Sequence, residues 1–355
     1  MFKERCGCCA PKLAMVGKKG LWMNLQPLTR ILSCFAVMVF AGVPVQAAPL
    51  KLPANAIAGD TFLVATVDLA KANPAILEAS AKAVLGEKAG KVDSLLSGFK
   101  THYEKYAGKG AESVTVVLRY DPDPRKGFQP IFYVKFKPGA DHAAVEKQIR
   151  EEEGENNPAA LEISHDGDFM VLRQKGLELP SAGSEERTKL FAEALGDSDK
   201  PVIGALIFND AMVKGLREDV GHGAPPGLVP MATDSKWLRM EMTLGEAVKM
   251  EVTIQTADEE AGKRVADAVT GLGDFIKAQI AAQMKQAAAQ ADPHFGEFVD
   301  AMTAIAEAFK PQQTGTKVTV TADAKAVGGM LRTFGTAQTL KAENVQPLKG
   351  GNGGL

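Results

Sequence analysis

The stretch WLRMEMTLGEAVKMEVTIQT, residues 237–256, contains two runs in which apolar and polar side chains alternate, with a glycine between them. Alternation with a period of two is typical of a β-strand that buries one face, so the stretch predicts an antiparallel hairpin. The side chains of the buried face would be Leu238, Met240, Met242, Leu244, Val248, Met250, Val252 and Ile254. Because a shift of one residue exchanges the two faces of a strand, the hairpin loop must contain an odd number of residues.

Two three-residue loops keep the faces of this hairpin separate, and charge distinguishes between them. A loop that starts at Leu244 places Glu241 opposite Lys249. It also places Arg239 opposite Glu251, and each such pair stabilises a sheet by about 0.2–1 kcal/mol. A loop that starts one residue later would instead place Glu241 opposite Glu251. We therefore predict the first register.

Similar elements recur twice along the chain. The continuous apolar runs TFLVATV (61–67) and VIGALIF (202–208) predict strands that are buried on both faces, and helix and hairpin patterns follow each run. We predict an α+β fold with a duplicated β-α-β-β-α-β-type unit, a mixed, mainly antiparallel sheet, and helices on one side. The first repeat would span residues 48–198 and the second residues 199–340, either as two domains or within one continuous sheet.

The segment RILSCFAVMVFAGVPVQAAPL, residues 30–50, has the features of a secretory signal peptide. Its apolar core, residues 31–45, is shorter than the roughly 20 residues of a transmembrane helix, and the small-residue motif VQA follows it. We expect residues 1–47 to be removed, with Met23 as an alternative start of translation. The protein would then be exported to the periplasm or the extracellular space without a stable membrane span. An uncleaved, signal-anchored lumenal domain is the alternative.

Removal of this leader changes the composition of the chain. Residues 1–47 contain all four cysteines, six of the 41 Lys and Arg residues and one of the 43 Asp and Glu residues, so the net charge changes from −2 to −7. The mature chain would have no disulfide, and its acidic composition with few aromatics is poorly suited to binding nucleic acid. The glycine-rich residues 341–355 predict a disordered tail.

No catalytic, cofactor or metal motif stands out in the sequence. The histidines are scattered singly, without the spacing of a zinc site: His102, His142, His165, His222 and His294. The sequence predicts no cofactor and leaves open whether the protein is an enzyme. His222, in the loop GHGAPPG, is a weak binding candidate because histidine changes charge near neutral pH. The other candidates form a row that is either a binding face or a solvated sheet face with balanced charges: Arg239, Glu241, Lys249 and Glu251.

The signal peptide, the repeated strand-helix-hairpin-helix pattern and the stretch TLGEAVKMEVTIQTADEEAGKRVADAV, residues 243–269, resemble uncharacterised exported proteins of planctomycete-type bacteria. The resemblance implies export and duplication, and that group has no assigned activity. We expect a non-catalytic binding or scaffold module with an unknown macromolecular partner in the cell envelope. The alternative to a binding module is a hydrolase whose carboxylates converge only in the folded chain.

Overall fold

A computed structural model of the chain describes residues 52–53, 55–85, 100, 103–104, 106–120, 128–153, 161–180, 182–220, 225, 227–287 and 295–330. The strands are β1 (Thr61–Asp68), β2 (Ala111–Tyr120), β3 (Phe128–Phe136), β4 (Leu161–Asp166), β5 (Phe169–Gln174), β6 (Val202–Leu206), β7 (Ser235–Thr243), β8 (Lys249–Thr256), β9 (Gln312–Thr314) and β10 (Lys317–Asp323). The helices are α1 (Pro74–Leu85), α2 (His142–Glu153), α3 (Glu185–Leu195), α4 (Asp210–Val220), α5 (Leu228–Asp234), α6 (Glu259–Ala287) and α7 (Phe295–Ala308), and residues 324–330 are also helical. The predicted signal peptide and tail lie outside the described residues.

The ten strands belong to one sheet with the order β4-β5-β3-β2-β1-β6-β7-β8-β10-β9. Each neighbouring pair is antiparallel. The predicted α+β class is therefore confirmed, and the sheet is antiparallel throughout the described strands. Of the two arrangements that the sequence left open, the structure has the continuous sheet, because β1 pairs with β6 from Leu63↔Leu206 to Val67↔Val202.

The two halves of the sheet have the same order of strands. Outward from the centre, the first half runs β1-β2-β3-β5-β4 and the second runs β6-β7-β8-β10-β9. The predicted boundary at residue 198 falls in the connection between α3 and β6. An equal strand order is what a duplicated unit requires, and the duplication itself stays a prediction.

Most of the described helices cover one side of the sheet, which we call the helical face. At β6 and β7, Val202 and Met240 pack with Ile276 and Ile280 of α6, and the same cluster includes side chains of α7 and of residues 324–330. At the first half of the sheet, α2 packs on β3 and β5 in the same way. The positions of these helices agree with the prediction of helices on one side, and α3 departs from that prediction.

Helix α3 lies on the other side of the sheet, which we call the second face. Its residues Phe191 and Leu195 pack with Val64, Val117 and Ile203, whose side chains point away from the helical face. The physical reason is the apolar character of the central strands: β1 and β6 are fully buried along their length, so both of their faces need a cover.

Asparagine side chains cap the first turns of α1 and α4. The side-chain oxygen of Asn73 accepts a hydrogen bond from the backbone N–H of Ile76 at 3.2 Å, immediately before α1. Asn209 accepts one from Met212 at 2.9 Å before α4. Each bond satisfies one of the backbone donors that the first turn of a helix leaves free.

The register of the β7–β8 hairpin differs from the prediction. Glu241 lies opposite Glu251 and Thr243 lies opposite Lys249, so the predicted pairing of Glu241 with Lys249 is wrong. The observed register makes Leu244 and Val248 the last apolar residues on either side of the loop, and both pack into the core beneath the hairpin. Full burial of such a side chain contributes about 1.5–3 kcal/mol, more than the about 0.2–1 kcal/mol of a cross-strand charge pair.

Candidate binding surface

The second face is open in the outer part of the second half of the sheet. Across β7, β8 and β10, the register aligns Glu241 with Glu251 and Thr321, and it aligns Arg239 with Thr253 and with Thr319 of the next strand. We call this surface the open face. Its side chains are polar and are exposed or half-buried: Arg239, Glu241, Thr243, Lys249, Glu251, Thr253, Gln255, Lys317, Thr319, Thr321 and Asp323.

Arg239 and Glu241 form the inner border of the open face, where α3 ends. A guanidinium nitrogen of Arg239 lies 2.5 Å from Oε1 of Glu241, and their side chains are only 20% and 17% exposed. The hydroxyl of Ser198, which follows α3, donates to the same oxygen. Gly196 ends α3 with φ 46°, and a Cβ at that position would lie 3.4 Å from Nη1 of Arg239. The guanidinium therefore packs over the C-terminus of α3, which favours a positive charge.

Trp237 of β7 contacts α3 beside this ion pair. The indole is buried in the apolar cluster of α3, and its N–H donates to Oε1 of Glu193 at 3.1 Å. By the alternation of residues 237–256, Trp237 lies on the same face as Arg239 and Glu241. Its burial beneath α3 is the reason for an aromatic residue at that position. This end of the face lies under α3, whereas the rest of the face meets solvent.

Lys249 and Glu251 form a second ion pair along β8. The ammonium nitrogen lies 2.9 Å from Oε2 of Glu251, and the two side chains are 49% and 38% exposed. A solvent-exposed pair of this kind contributes about 0–1 kcal/mol, so it adds little to stability. Together with Arg239 and Glu241, four of the five candidate residues therefore share one surface, paired along the strands instead of across them. The fifth candidate, His222, lies outside the described residues.

Sequence reasoning missed a second polar cluster, between α2 and the β4–β5 hairpin. The imidazole of His142 stacks on Phe136 with a centroid distance of 4.3 Å, and the imidazole of His165 stacks on His142 at 6.0 Å. Nε2 of His165 lies 3.0 Å from Oε2 of Glu146, whose other oxygen lies 2.6 Å from the guanidinium of Arg150. The hydrogen bond with His165, and then that with Arg150, lowers the pKa of Glu146.

The sequence contained one part of this signal. His142 and Glu146 are four residues apart, which places them on the same side of a helix. Their partner His165 comes from a strand, and spacing along the sequence gives no indication of that contact. In the described part of the chain, no group of three or more His, Cys, Asp and Glu side chains has an arrangement suited to holding a metal ion.

The buried Asp68 and the half-buried Arg187, near the centre of the sheet, have local structural partners. Oδ1 of Asp68 accepts backbone hydrogen bonds from Ala70 at 2.7 Å and Lys71 at 3.1 Å. Its Oδ2 lies 3.7 Å from the Lys71 ammonium and has no hydrogen-bond partner among the described residues. The guanidinium of Arg187 donates to three carbonyls, including that of Thr61 at 3.1 Å. Burial lowers the pKa of Arg187. These contacts stabilise a turn and hold α3 on the sheet.

Comparisons of the chain with protein-family models, with curated proteins and with solved structures find no match. Within the described residues, no helix combines the length and the apolar character that crossing a membrane requires.

Proposed function

We propose that the protein is a non-catalytic binding module that holds a macromolecular partner in the cell envelope on its open face. The observation that carries this proposal is the difference between the strands of one sheet. The central strands β1 and β6 are buried on both faces, whereas β8 and β10 bury only the helical face. Backbone that is fixed in a sheet presents its side chains with little further loss of conformational entropy on binding.

The chemistry of the open face favours a polypeptide partner. The face carries equal numbers of the two charges, with Arg239, Lys249 and Lys317 against Glu241, Glu251 and Asp323, and its other members are Thr and Gln. Recognition of nucleic acid depends on clustered cations and on aromatic side chains for stacking, and this set contains neither. Hydroxyl, amide and paired charged groups suit the polar surface of another protein.

The size of the open face predicts a reversible contact. A stable interface uses roughly 20–30 residues on each side, and the open face has fewer. Export to the periplasm or the extracellular space is part of the proposal and is supported by the signal features of residues 30–50. N-terminal sequencing of the protein from its native cell tests that part, since a mature chain should begin after Ala47 or Ala48.

Site-specific photo-crosslinking in the native cell tests the binding proposal. A photoreactive amino acid replaces Thr253 or Thr319 on the open face, and a matched control replaces Thr270, an exposed threonine of α6 on the other side of the sheet. We expect both open-face positions to give an adduct of the same mass that the control lacks. No adduct from either position, or the same adduct from Thr270, would contradict the proposal.

A further inference from the structure

The outermost strand of the first half, β4, has one edge that no described strand covers. β4 lies at the end of the sheet and pairs with β5 alone among the described strands. A two-residue turn joins the two strands, and Asp166 lies opposite Phe169 beside it, so these two residues form a hydrogen-bonded pair. Because hydrogen-bonded and non-hydrogen-bonded pairs alternate along an antiparallel ladder, the backbone N–H and C=O groups of Ile163 and His165 point away from β5.

β4 lacks the features that usually protect the edge of a sheet. Natural edge strands are short, carry Lys or Pro, or contain a bulge. β4 has six residues, LEISHD, with no Lys or Pro, and its register with β5 is regular. β9, at the other end of the sheet, follows Pro311 and has three residues, all of them polar and exposed. Of the two ends, β4 is therefore the one suited to pairing with another chain.

The side chains of β4 complement themselves in one two-fold register. In a two-fold contact the same residues meet from both copies. With Ile163 opposite the partner's Ile163, Glu162 lies opposite the partner's Ser164. A register centred one residue earlier places Glu162 opposite itself, and one centred a residue later places it opposite the partner's Asp166. Both shifted registers oppose like charges on exposed side chains, which destabilises a sheet.

We propose that β4 pairs with the β4 strand of a second copy of this chain, antiparallel and centred on Ile163, so that the two sheets become one. The apolar side chains of Leu161 and Ile163 are half-buried against the cluster of α2, and the second copy covers the part that still meets solvent. One pair of short strands buries less than the roughly 1,200 Å² of a standard interface, so the association is reversible.

The dimer leaves the open face uncovered. β4 lies at the end of the first half, whereas β8 and β10 lie near the opposite end of the sheet. Each dimer therefore carries two open faces, and a partner with repeated binding sites is held more tightly by two copies than by one. The pairing of β4 does not depend on the role proposed for the open face.

Sedimentation and residue-resolved amide exchange of the full wild-type chain, from about 10 µM to about 1 mM, test the proposal. We expect the average mass to increase towards that of two copies. When about two thirds of the chain is dimeric, exchange should be about threefold slower at the amides of Ile163 and His165, because only the monomer exposes them. The amide of Gln313, which points outward from β9, should not change. A dimer without slower exchange at Ile163 and His165 would overturn the proposal. A chain that stays monomeric would also overturn it, and would leave the edge to solvent or to an extended segment of another protein.

Charge variants at the centre of the contact test its register. Ile163→Lys and Ile163→Glu each place like charges opposite each other across the two-fold axis, so each protein alone should be at least tenfold weaker in dimerisation than the wild type. An equal mixture should dimerise again, because Lys then lies opposite Glu. Gln312→Lys on the exposed β9 strand is the control and should dimerise as the wild type does. Wild-type dimerisation of Ile163→Lys, or a mixture that stays monomeric while both proteins are folded, would contradict the register. If the variants do not fold, the exchange of the wild-type amides decides.

Discussion

At the scale of single residues, Glu241 and Glu251 face each other across β7 and β8. Each carboxylate is paired with a cation two residues away on its own strand, Arg239 or Lys249. Like charges directly opposite each other in a sheet are destabilising, by amounts similar to the about 0.2–1 kcal/mol that opposite charges contribute. The apolar residues of the hairpin therefore determine its register, and the small repulsion between Glu241 and Glu251 is tolerated.

A double-mutant cycle at this pair tests the register. We expect the coupling free energy between Glu241→Gln and Glu251→Gln, measured by denaturant unfolding at low salt, to be repulsive by about 0.2–1 kcal/mol. The coupling should decrease at high salt because the side chains are partly exposed. An attractive coupling between Glu241 and Lys249 larger than this repulsion would indicate the register with Glu241 opposite Lys249.

The lowered pKa of Glu146 predicts how the stability of the fold changes at acidic pH. Its pKa is lower in the folded chain than its ordinary value of 4.5, because of His165 and then Arg150. A carboxyl group of this kind stabilises the fold above its ordinary pKa, and that contribution is lost as the pH falls through the lowered value. We expect the wild type to lose more stability than Glu146→Gln as the pH decreases below about 4.5. Parallel stability curves for the two proteins over this range would show that the interaction contributes nothing.

Single residues also show which features of the fold the sequence could predict and which it could not. Alternation identified which side chains of residues 237–256 share a face, and that assignment is confirmed for the apolar positions. It could not identify the register, because both loops keep the faces separate and the charge pairs that distinguish them contribute less than the packing of apolar residues such as Leu244 and Val248 beside the loop. The contact of His142 with His165 was equally invisible, since it joins a helix to a strand that follows later in the chain.

At the scale of elements, α3 connects the two halves of the sheet on the second face. Its side chains pack on β1 and β2 of the first half and on β6 and β7 of the second. The apolar runs in the sequence predicted strands buried on both faces, but they did not indicate which helix supplies the second cover. That choice depends on the three-dimensional path of the chain between β5 and β6.

Substitution of Phe191 should therefore destabilise the whole sheet. Its side chain is fully buried, and replacing such a residue by Ala typically costs about 3–5 kcal/mol. We expect Phe191→Ala to lower the free energy of unfolding by that amount, while Lys189→Ala on the exposed side of the same helix changes it by less than about 0.5 kcal/mol. A loss below about 1 kcal/mol for Phe191→Ala would show that α3 does not hold the halves together.

At the scale of the whole molecule, the strands form one continuous sheet whose second face is uncovered at β8 and β10. The α+β class was predictable from the sequence, because burial patterns reflect local geometry. The shared sheet was not, because the pairing of β1 with β6 joins segments more than 130 residues apart. The open face follows from that arrangement, since α3 covers the centre of the second face and leaves β8 and β10 uncovered.

The most direct test of the open face is the rate at which a thiol reagent modifies cysteine introduced at Thr319, measured in the purified protein and in intact cells. The chain has no cysteine after Cys34, and mass spectrometry identifies the modified site. We expect Thr319→Cys to react rapidly in the purified protein and more slowly in cells, where a partner covers it. Thr270→Cys should react equally in both, and the neighbouring Val318→Cys, buried on the helical face, should react only after unfolding. Rapid labelling of Thr319→Cys in cells as well as in the purified protein would contradict the binding role, and slow labelling in the purified protein would contradict the open face itself.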